Sequence, residues 1–392
     1  MDPSRRNVAL LACCQALLLT NAVTLIAVSS LAGYAIAENK ALATAPATTY
    51  VIGIAIAAFP ASMWMRRVGR RNGFLTGVAL ALAGAAISTF AVASASFVLL
   101  CFGTMLLGMY NGFGQYYRFA AADAAPADFK AKAISYVLAG GLVGGIVGPE
   151  ISKHTRTLLQ PEFLASYASL FIYALIAGAV ISLLRIPETS LGASNEPARP
   201  LSEVIKQPVF IVAVSVAALG YAVMNFLMTA TPLAMGFCGH PYEATAGVIA
   251  AHVVGMFGPS FFTGSLIQRF GVLNVMLAGV AIMFACIGIA LSGQAVSDFW
   301  WALMLLGIGW NFMYIGGSTL LTEAYRPSEK AKVQGLNEII IFTVQALSSF
   351  SSGVLVNTKG WETLNYVALP LVLCAGLSAA WLAVRRRAAL PS

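Results

Sequence analysis

Twelve long apolar segments dominate the chain, and short breaks containing charged residues, glycine or proline separate them. A helix needs about 20 apolar residues to cross the hydrocarbon core of a bilayer, and each segment is long enough. The first segment exceeds the roughly 7–15 residues of a signal-peptide core, so we expect it to be retained. The sequence therefore predicts an all-α membrane protein with spans 1 to 12 at 7–33, 45–65, 73–93, 97–121, 133–152, 165–184, 207–231, 243–266, 273–292, 298–321, 333–356 and 362–384.

The composition argues against a soluble enzyme. Of the 392 residues, 59% are apolar and only 10% are charged, whereas soluble domains carry about 25% charged residues. The sequence contains no P-loop, no HExxH motif and no set of Cys and His residues at metal-ligand spacing. We therefore expect no enzyme activity, no metal and no cofactor.

The uneven distribution of basic residues predicts the orientation. With a cytoplasmic N-terminus, 18 of the 23 Lys and Arg residues fall in cytoplasmic segments, and Arg118 lies inside span 4. The outer side holds only four: Lys40, Lys153, Arg156 and Lys359. Basic residues favour the cytoplasmic side of membrane proteins, so we expect both termini there. The net charge of +8 is thus explained by topology, with the lipid bilayer as partner and no nucleic acid.

The two halves of the sequence repeat each other. An offset of 200 residues aligns Asn111 with Asn311 and Asp123 with Glu323. An offset of 202 aligns four further pairs: Tyr50 with His252, Gly53 with Gly255, Arg67 with Arg269, and Gly69 with Gly271. Internal repeats of this kind are typical of secondary transporters. We predict two pseudo-symmetric six-helix bundles, 1–185 and 207–392, joined by a cytoplasmic linker at 186–206.

Two loops carry a recognisable motif. The loop after span 2 reads SMWMRRVGRR over 62–71, and the loop after span 8 reads GSLIQRFG over 264–271. Both resemble the signature loop of the major facilitator superfamily, and the resemblance extends over essentially the whole chain. The matching residues are Arg67, Gly69 and Arg70 in the first copy, and Arg269 and Gly271 in the second. Where the family has an acid, this chain has Arg66 and Gln268, so Asp123 and Glu323 are candidates for the missing negative partners.

The resemblance implies a monomeric secondary transporter of the bacterial inner membrane that works by alternating access. In that family, spans 1, 4, 7 and 10 surround a central cavity, and these spans here carry polar side chains at helical spacing. The predicted cavity residues are Asn21, Asn111, Gln115, Tyr221, Asn225, His252, Trp310, Asn311 and Tyr314. Hydrogen bonding between helices is the alternative explanation for any single one of them.

Ionisable groups at membrane depth suggest function because they are costly there. We predict that Arg118 of span 4 and Glu338 of span 11 pair as an inner gate. The alternative is that Arg118 extends to lipid phosphate and Glu338 is satisfied locally. His252 is a candidate proton-coupling site, since imidazole titrates near neutral pH, or else a neutral contact to substrate or a neighbouring helix.

The predicted cavity is rich in amide, phenol and indole groups and poor in charge, which suits a neutral or weakly charged organic solute. Export of drugs or metabolites is slightly favoured, because Gly144-x-x-x-Gly148-Pro149 in span 5 partly resembles an exporter motif. Those glycines also suit close helix packing. One alternative is import of a nutrient such as a riboflavin-type vitamin. Another is a membrane sensor or assembly factor that moves no solute.

Overall fold

A computed structural model of the chain describes residues 3–39, 42, 45–186 and 198–388, and the regular structure in these ranges is helical. Lys40 and residues 187–197 of the predicted linker lie outside the described residues. The long helices of the first half, with the short one that completes span 4, are Pro3–Ile36, Ala45–Ala93, Phe97–Gly114, Tyr117–Asp123, Lys130–Thr155 and Leu164–Ser182. Those of the second half are Pro208–Phe237, Tyr242–Phe257, Ser260–Phe270, Val272–Ser292, Val296–Leu321 and Lys330–Ala388.

All twelve predicted spans lie in helices, so the predicted fold class is confirmed. Within the described ranges, 11 helices are long and apolar enough to cross a membrane. One of them, Ala45–Ala93, has 49 residues and contains spans 2 and 3, divided at Gly69. Spans 11 and 12 follow each other within Lys330–Ala388, where Gly360 divides them.

Glycine makes the same sharp turn in both copies of the signature loop. Gly69 has φ 83° and ψ 161°, and its repeat equivalent Gly271 has φ 84° and ψ 149°. This backbone region is essentially restricted to glycine, because a Cβ atom would clash there. The internal repeat seen in the sequence is therefore also present in the backbone.

Close helix packing repeats as well. A methyl group on Gly53 of span 2 would overlap the backbone carbonyl of Met105 in span 4. A methyl group on Gly255 of span 8 would overlap the carbonyl of Met304 in span 10. Span 2 thus packs on span 4 as span 8 packs on span 10.

The chain forms two compact units, each of which includes a short segment from the other half of the sequence. The first unit comprises Met1–Pro126, Gly140–Pro197 and Pro327–Ile339, and the second comprises Ala127–Ala139, Ala198–Arg326 and Ile340–Ser392. The start of span 11 therefore belongs to the first unit and the start of span 5 to the second. The division of the chain into 1–185, 186–206 and 207–392 stays a prediction.

Replacing Gly271 with alanine should destabilise the protein, because alanine is strained at its φ and ψ angles. We expect the free energy of unfolding to fall by about 1–3 kcal/mol, measured by chemical unfolding of the purified protein in detergent. Gly288→Ala is the control, since Gly288 lies in the helix that follows and has open space around it. Equal stability of the two variants would contradict a strained position at Gly271.

Candidate functional site

The predicted polar face of span 4 forms a continuous row of hydrogen bonds in the first unit. The Asn111 amide donates to the Tyr50 hydroxyl at 2.8 Å, and the Gln115 amide donates to the Asn111 side-chain oxygen at 2.7 Å. Arg118 Nη1 donates to the backbone carbonyl of Gln115 at 2.6 Å. We call Tyr50, Asn111, Gln115 and Arg118 the span 4 row. Their helical spacing places them in one connected line.

The backbone of span 4 changes its hydrogen-bond pattern inside this row. Helix Phe97–Gly114 ends just before Gln115, and helix Tyr117–Asp123 begins after Tyr116. The Tyr116 N–H donates at 3.2 Å to the carbonyl of Phe113, three residues back, where an α-helix uses the residue four back. Such local 3₁₀ geometry inside a helix often marks a hinge.

A buried ion pair ends the row. Arg118 Nη2 lies 2.5 Å from Glu338 Oε1, and the two side chains are 2% and 0% exposed. The Asn337 amide donates to the same oxygen at 2.7 Å, whereas Glu338 Oε2 has no hydrogen-bond partner among the described residues. The Arg118 guanidinium also lies 4.4 Å from the centre of the Phe119 ring. Arg118 therefore points into the first unit and does not extend to lipid phosphate.

Span 4 also supplies an acid to the first signature loop. Asp123 Oδ2 accepts from Arg70 Nη2 at 3.1 Å, and its Oδ1 lies 2.7 Å from Lys330 Nζ. Arg70 Nη2 donates in addition to Gln334 Oε1 at 2.6 Å. Arg67 is exposed, so the loop contacts Asp123 through Arg70. Because Lys330 and Gln334 begin span 11, this network ties the start of that span to spans 2 and 4.

The second signature loop is arranged differently. Glu323 accepts from Arg386 at 2.6 Å, near the end of span 12, and Arg269 is exposed with its guanidinium 5.2 Å from the centre of the Phe270 ring. The expected pairing of Glu323 with this loop is therefore wrong. The physical reason is that Val272, which carries no charge, stands at the position of Arg70.

Four aromatic rings cluster in the second unit. Trp310 and Tyr314 stack with ring centroids 4.8 Å apart and 17° between their planes, and Tyr221 meets each of them edge-on at 5.4 Å. Phe257 meets Trp310 edge-on at 6.0 Å. The Trp310 indole N–H is buried without a hydrogen-bond partner among the described residues. This aromatic cluster offers ring surfaces for stacking and one donor for an acceptor atom.

Asn311 acts in packing. It is fully buried, and its amide donates to the Met256 carbonyl and to Ser260 Oγ, both at 2.6 Å. Its oxygen accepts from Thr263 Oγ1 at 2.7 Å. All three contacts lie in the segment around span 8, so hydrogen bonding between helices describes Asn311 better than substrate contact.

The two remaining asparagines also contact neighbouring helices. The buried Asn21 amide donates to the Leu170 carbonyl of span 6 at 3.3 Å. The Asn225 amide donates to the Gln345 carbonyl at 3.1 Å and to Ser348 Oγ at 3.2 Å, both in span 11. Each amide thus links two spans within its own unit.

His252 is fully buried between spans 8 and 10. Its Nδ1 lies 2.9 Å from the Leu303 carbonyl, so Nδ1 carries the hydrogen and Nε2 is the acceptor in the neutral ring. Nε2 has no hydrogen-bond partner among the described residues. The printed contact joins the imidazole to the backbone of a neighbouring span, as the structural alternative for His252 expects.

Sequence reasoning missed several members of these networks, namely Asn337, Gln334, Lys330 and Phe257. Asn337 directly precedes Glu338, so adjacency to a buried acid was an available signal. Phe257 is one of 22 phenylalanines in an apolar chain, and nothing in the pattern distinguishes it. Among the described residues, no group of three or more His, Cys, Asp or Glu is placed to hold a metal ion.

The repeated six-span fold with paired signature loops defines the class of the protein. The family model for the Major Facilitator Superfamily matches residues 8–314 and 244–392, and the chain belongs to this superfamily. It is 40% identical over 372 residues to the riboflavin transporter RfnT of Brucella anthropi, a match that covers 94% of each chain. It is 26% identical over 345 residues to an uncharacterized MFS-type transporter, YddS of Bacillus subtilis, covering 83% of this chain and 79% of that one.

Solved structures share the fold. The transporter FucP in the outward conformation matches with a TM-score of 0.77 and 16% identity, covering 95% of this chain and 98% of that chain. The proton:xylose symporter XylE matches with a TM-score of 0.76 and 14% identity, covering 95% and 94%. At these identities the likeness concerns the fold alone.

Removing one partner of the Arg118–Glu338 pair should cost more stability than removing both. Arg118→Met leaves Glu338 buried without its counter-charge, which typically costs about 3–5 kcal/mol of unfolding free energy. The double variant Arg118→Met/Glu338→Leu should recover most of this loss, because an apolar pair of similar volume is often neutral. Chemical unfolding in detergent measures both; a double variant no more stable than Arg118→Met would argue against a buried pair.

Proposed function

We propose that this chain carries riboflavin, or a closely similar flat heteroaromatic compound, into the cell across the bacterial inner membrane by alternating access. The observation that carries the proposal is the 40% identity to a protein named as a riboflavin transporter over 94% of both chains. This identity favours the vitamin alternative over export of drugs or metabolites. Uptake, the inner membrane and cytoplasmic termini are parts of the same proposal.

The aromatic cluster supports this substrate class. The isoalloxazine ring of riboflavin is flat and bears carbonyl and ring-nitrogen acceptors. It can stack on an aromatic surface such as that of Trp310 and accept from the indole N–H. The amides of Asn111 and Gln115 are suited to the hydroxyl groups of the ribityl chain. A neutral solute needs no counter-charge, in keeping with uncharged groups at these positions.

The Arg118–Glu338 pair is assigned to the cytoplasmic gate. With cytoplasmic termini, both residues lie about 8–9 Å from the inner ends of their spans. The pair holds the inner side closed and separates when the substrate site opens to the cytoplasm. Separation would leave two buried charges, so the gate opens only when water or other groups replace the contact.

Charge reversal tests the gate. Arg118→Glu and Glu338→Arg each place like charges side by side, and each should reduce riboflavin uptake below about a tenth of the wild-type rate. The double reversal restores opposite charges and should regain uptake, measured in cells with equal amounts of protein in the membrane. A double variant as inactive as the single ones would speak against direct pairing as the basis of the gate.

Riboflavin uptake tests the function itself. A bacterial strain that can neither make nor import riboflavin should grow on low external riboflavin when it expresses this chain. Purified protein in proteoliposomes should take up radiolabelled riboflavin, with and without an imposed pH gradient. Uptake indifferent to the gradient would exclude proton coupling and with it that role for His252. A folded protein that binds riboflavin without moving it would instead favour a membrane sensor.

The aromatic cluster makes this test specific. Trp310→Leu removes the ring surface and the N–H donor, so it should raise the KM for riboflavin about tenfold, as loss of about 1.4 kcal/mol of binding would. Trp301→Leu is the matched control, because Trp301 lies in the same helix and is 55% exposed. Equal KM values for the two variants would remove the cluster from the substrate site.

A further inference from the structure

We infer that Gln115 is a positioning residue that couples substrate binding near Asn111 to the Arg118–Glu338 pair. The inference deepens the proposed function and rests on it. The Gln115 side-chain amide donates to Asn111 at 2.7 Å, and its backbone carbonyl accepts from Arg118 at 2.6 Å. One residue thus contacts both a predicted substrate ligand and the arginine of the pair.

Gln115 is the most accessible member of the span 4 row. Asn111, Tyr50 and Arg118 are 7%, 3% and 2% exposed, whereas Gln115 is half-buried. Its bond to Asn111 joins two neutral groups. A carbonyl or hydroxyl oxygen of the substrate can replace Asn111 as the acceptor at little net cost, because one neutral hydrogen bond is exchanged for another.

The backbone at Gln115 offers a place for movement. The regular helix is interrupted at Gln115 and Tyr116, and Arg118 binds the carbonyl at this interruption. A change in the Gln115 peptide orientation therefore moves an oxygen that holds the guanidinium. Since the other end of that guanidinium binds Glu338, the change reaches the ion pair directly.

The second half of the chain provides an internal comparison. The offset of 200 places Ile315 and Ser318 at the positions of Gln115 and Arg118, and helix Val296–Leu321 continues through both without interruption. Asn311, the equivalent of Asn111, donates to Met256 and Ser260 and not to the side chain four residues on. The row and the interruption occur together in one copy of the repeat. Packing required by the repeated fold would appear in both copies.

The coupling then runs in one direction along the row. A substrate oxygen accepts the Gln115 amide hydrogen, and the bond from Gln115 to Asn111 is lost. The Gln115 peptide reorients at the interruption, and its carbonyl no longer holds Arg118. The guanidinium, now held by Glu338 without its second anchor, separates more readily, and the start of span 11 is released.

Gln115→Leu tests this coupling, because leucine has a similar volume and no amide. In wild-type protein, riboflavin should accelerate hydrogen–deuterium exchange of the backbone amides at 117–123 and 330–339 at least fivefold. In Gln115→Leu the acceleration should be lost, while the Kd for riboflavin changes less than about threefold. Ile315→Val, at the equivalent position of span 10, should keep the full response. A response lost only in proportion to weaker binding would overturn the inference and leave Gln115 as an ordinary ligand.

Two further arms separate this inference from the proposed function. In the background Arg118→Met/Glu338→Leu, Gln115→Leu should slow riboflavin exchange no further, since residues that act through one another are non-additive. An equal additional loss there would overturn the inference. If the wild-type protein binds no riboflavin, the proposed substrate is wrong, and the ligand-free proteins decide the coupling. Faster exchange at 117–123 in Gln115→Leu than in wild type supports it, and identical exchange overturns it.

Discussion

Hydrocarbon offers no water to the peptide groups of a membrane protein, and this constraint governs the rest of the structure. Each span is helical because only internal hydrogen bonds can satisfy its backbone. Where the backbone departs from the α-helix, another group takes over. At Gln115 the departure frees a carbonyl for Arg118, and at Gly69 and Gly271 it falls in loops between spans. The positions where the helix rule is relaxed are therefore the positions where charged side chains gather.

Buried polar atoms in this chain fall into two kinds. Asn311 has its donors and its acceptor satisfied by neighbouring residues, which fixes span 10 against the segment around span 8. The Trp310 N–H and Glu338 Oε2 are buried without such partners among the described residues. An unsatisfied buried group lowers stability by about 1–3 kcal/mol, so its persistence is expected where it serves binding or movement. The contrast separates residues that hold the bundle together from those available for transport.

The fold was accessible from sequence because its cause is local. Span length, apolar composition and the glycines of the signature loop are each read from short stretches of the chain, and the two loop glycines have nearly the same φ in both halves. The span 4 row was also predictable, since i, i+4 and i+7 spacing alone places Asn111, Gln115 and Arg118 on one face.

The partners of individual side chains were less accessible, because they depend on residues far away in the sequence. The pairing of Arg118 with Glu338 was predicted from depth in the membrane. The Arg70–Asp123–Lys330 network involves a second residue of the loop and a lysine more than 200 positions on. Glu323 shows the limit of arguing from the repeat: the aligned position was conserved in charge, but Val272 had replaced the arginine it would need.

The three satisfied contacts of Asn311 bear on how the substrate range of such a protein can change over evolutionary time. A side chain that bonds only to its own protein is selected for the bundle and is blind to the molecule being carried. Rings of the aromatic cluster meet one another edge-on and can be exchanged for other rings with modest repacking. New specificities should therefore arise by exchange among Tyr221, Phe257 and Tyr314, while Asn311 stays fixed through relatives that carry different solutes.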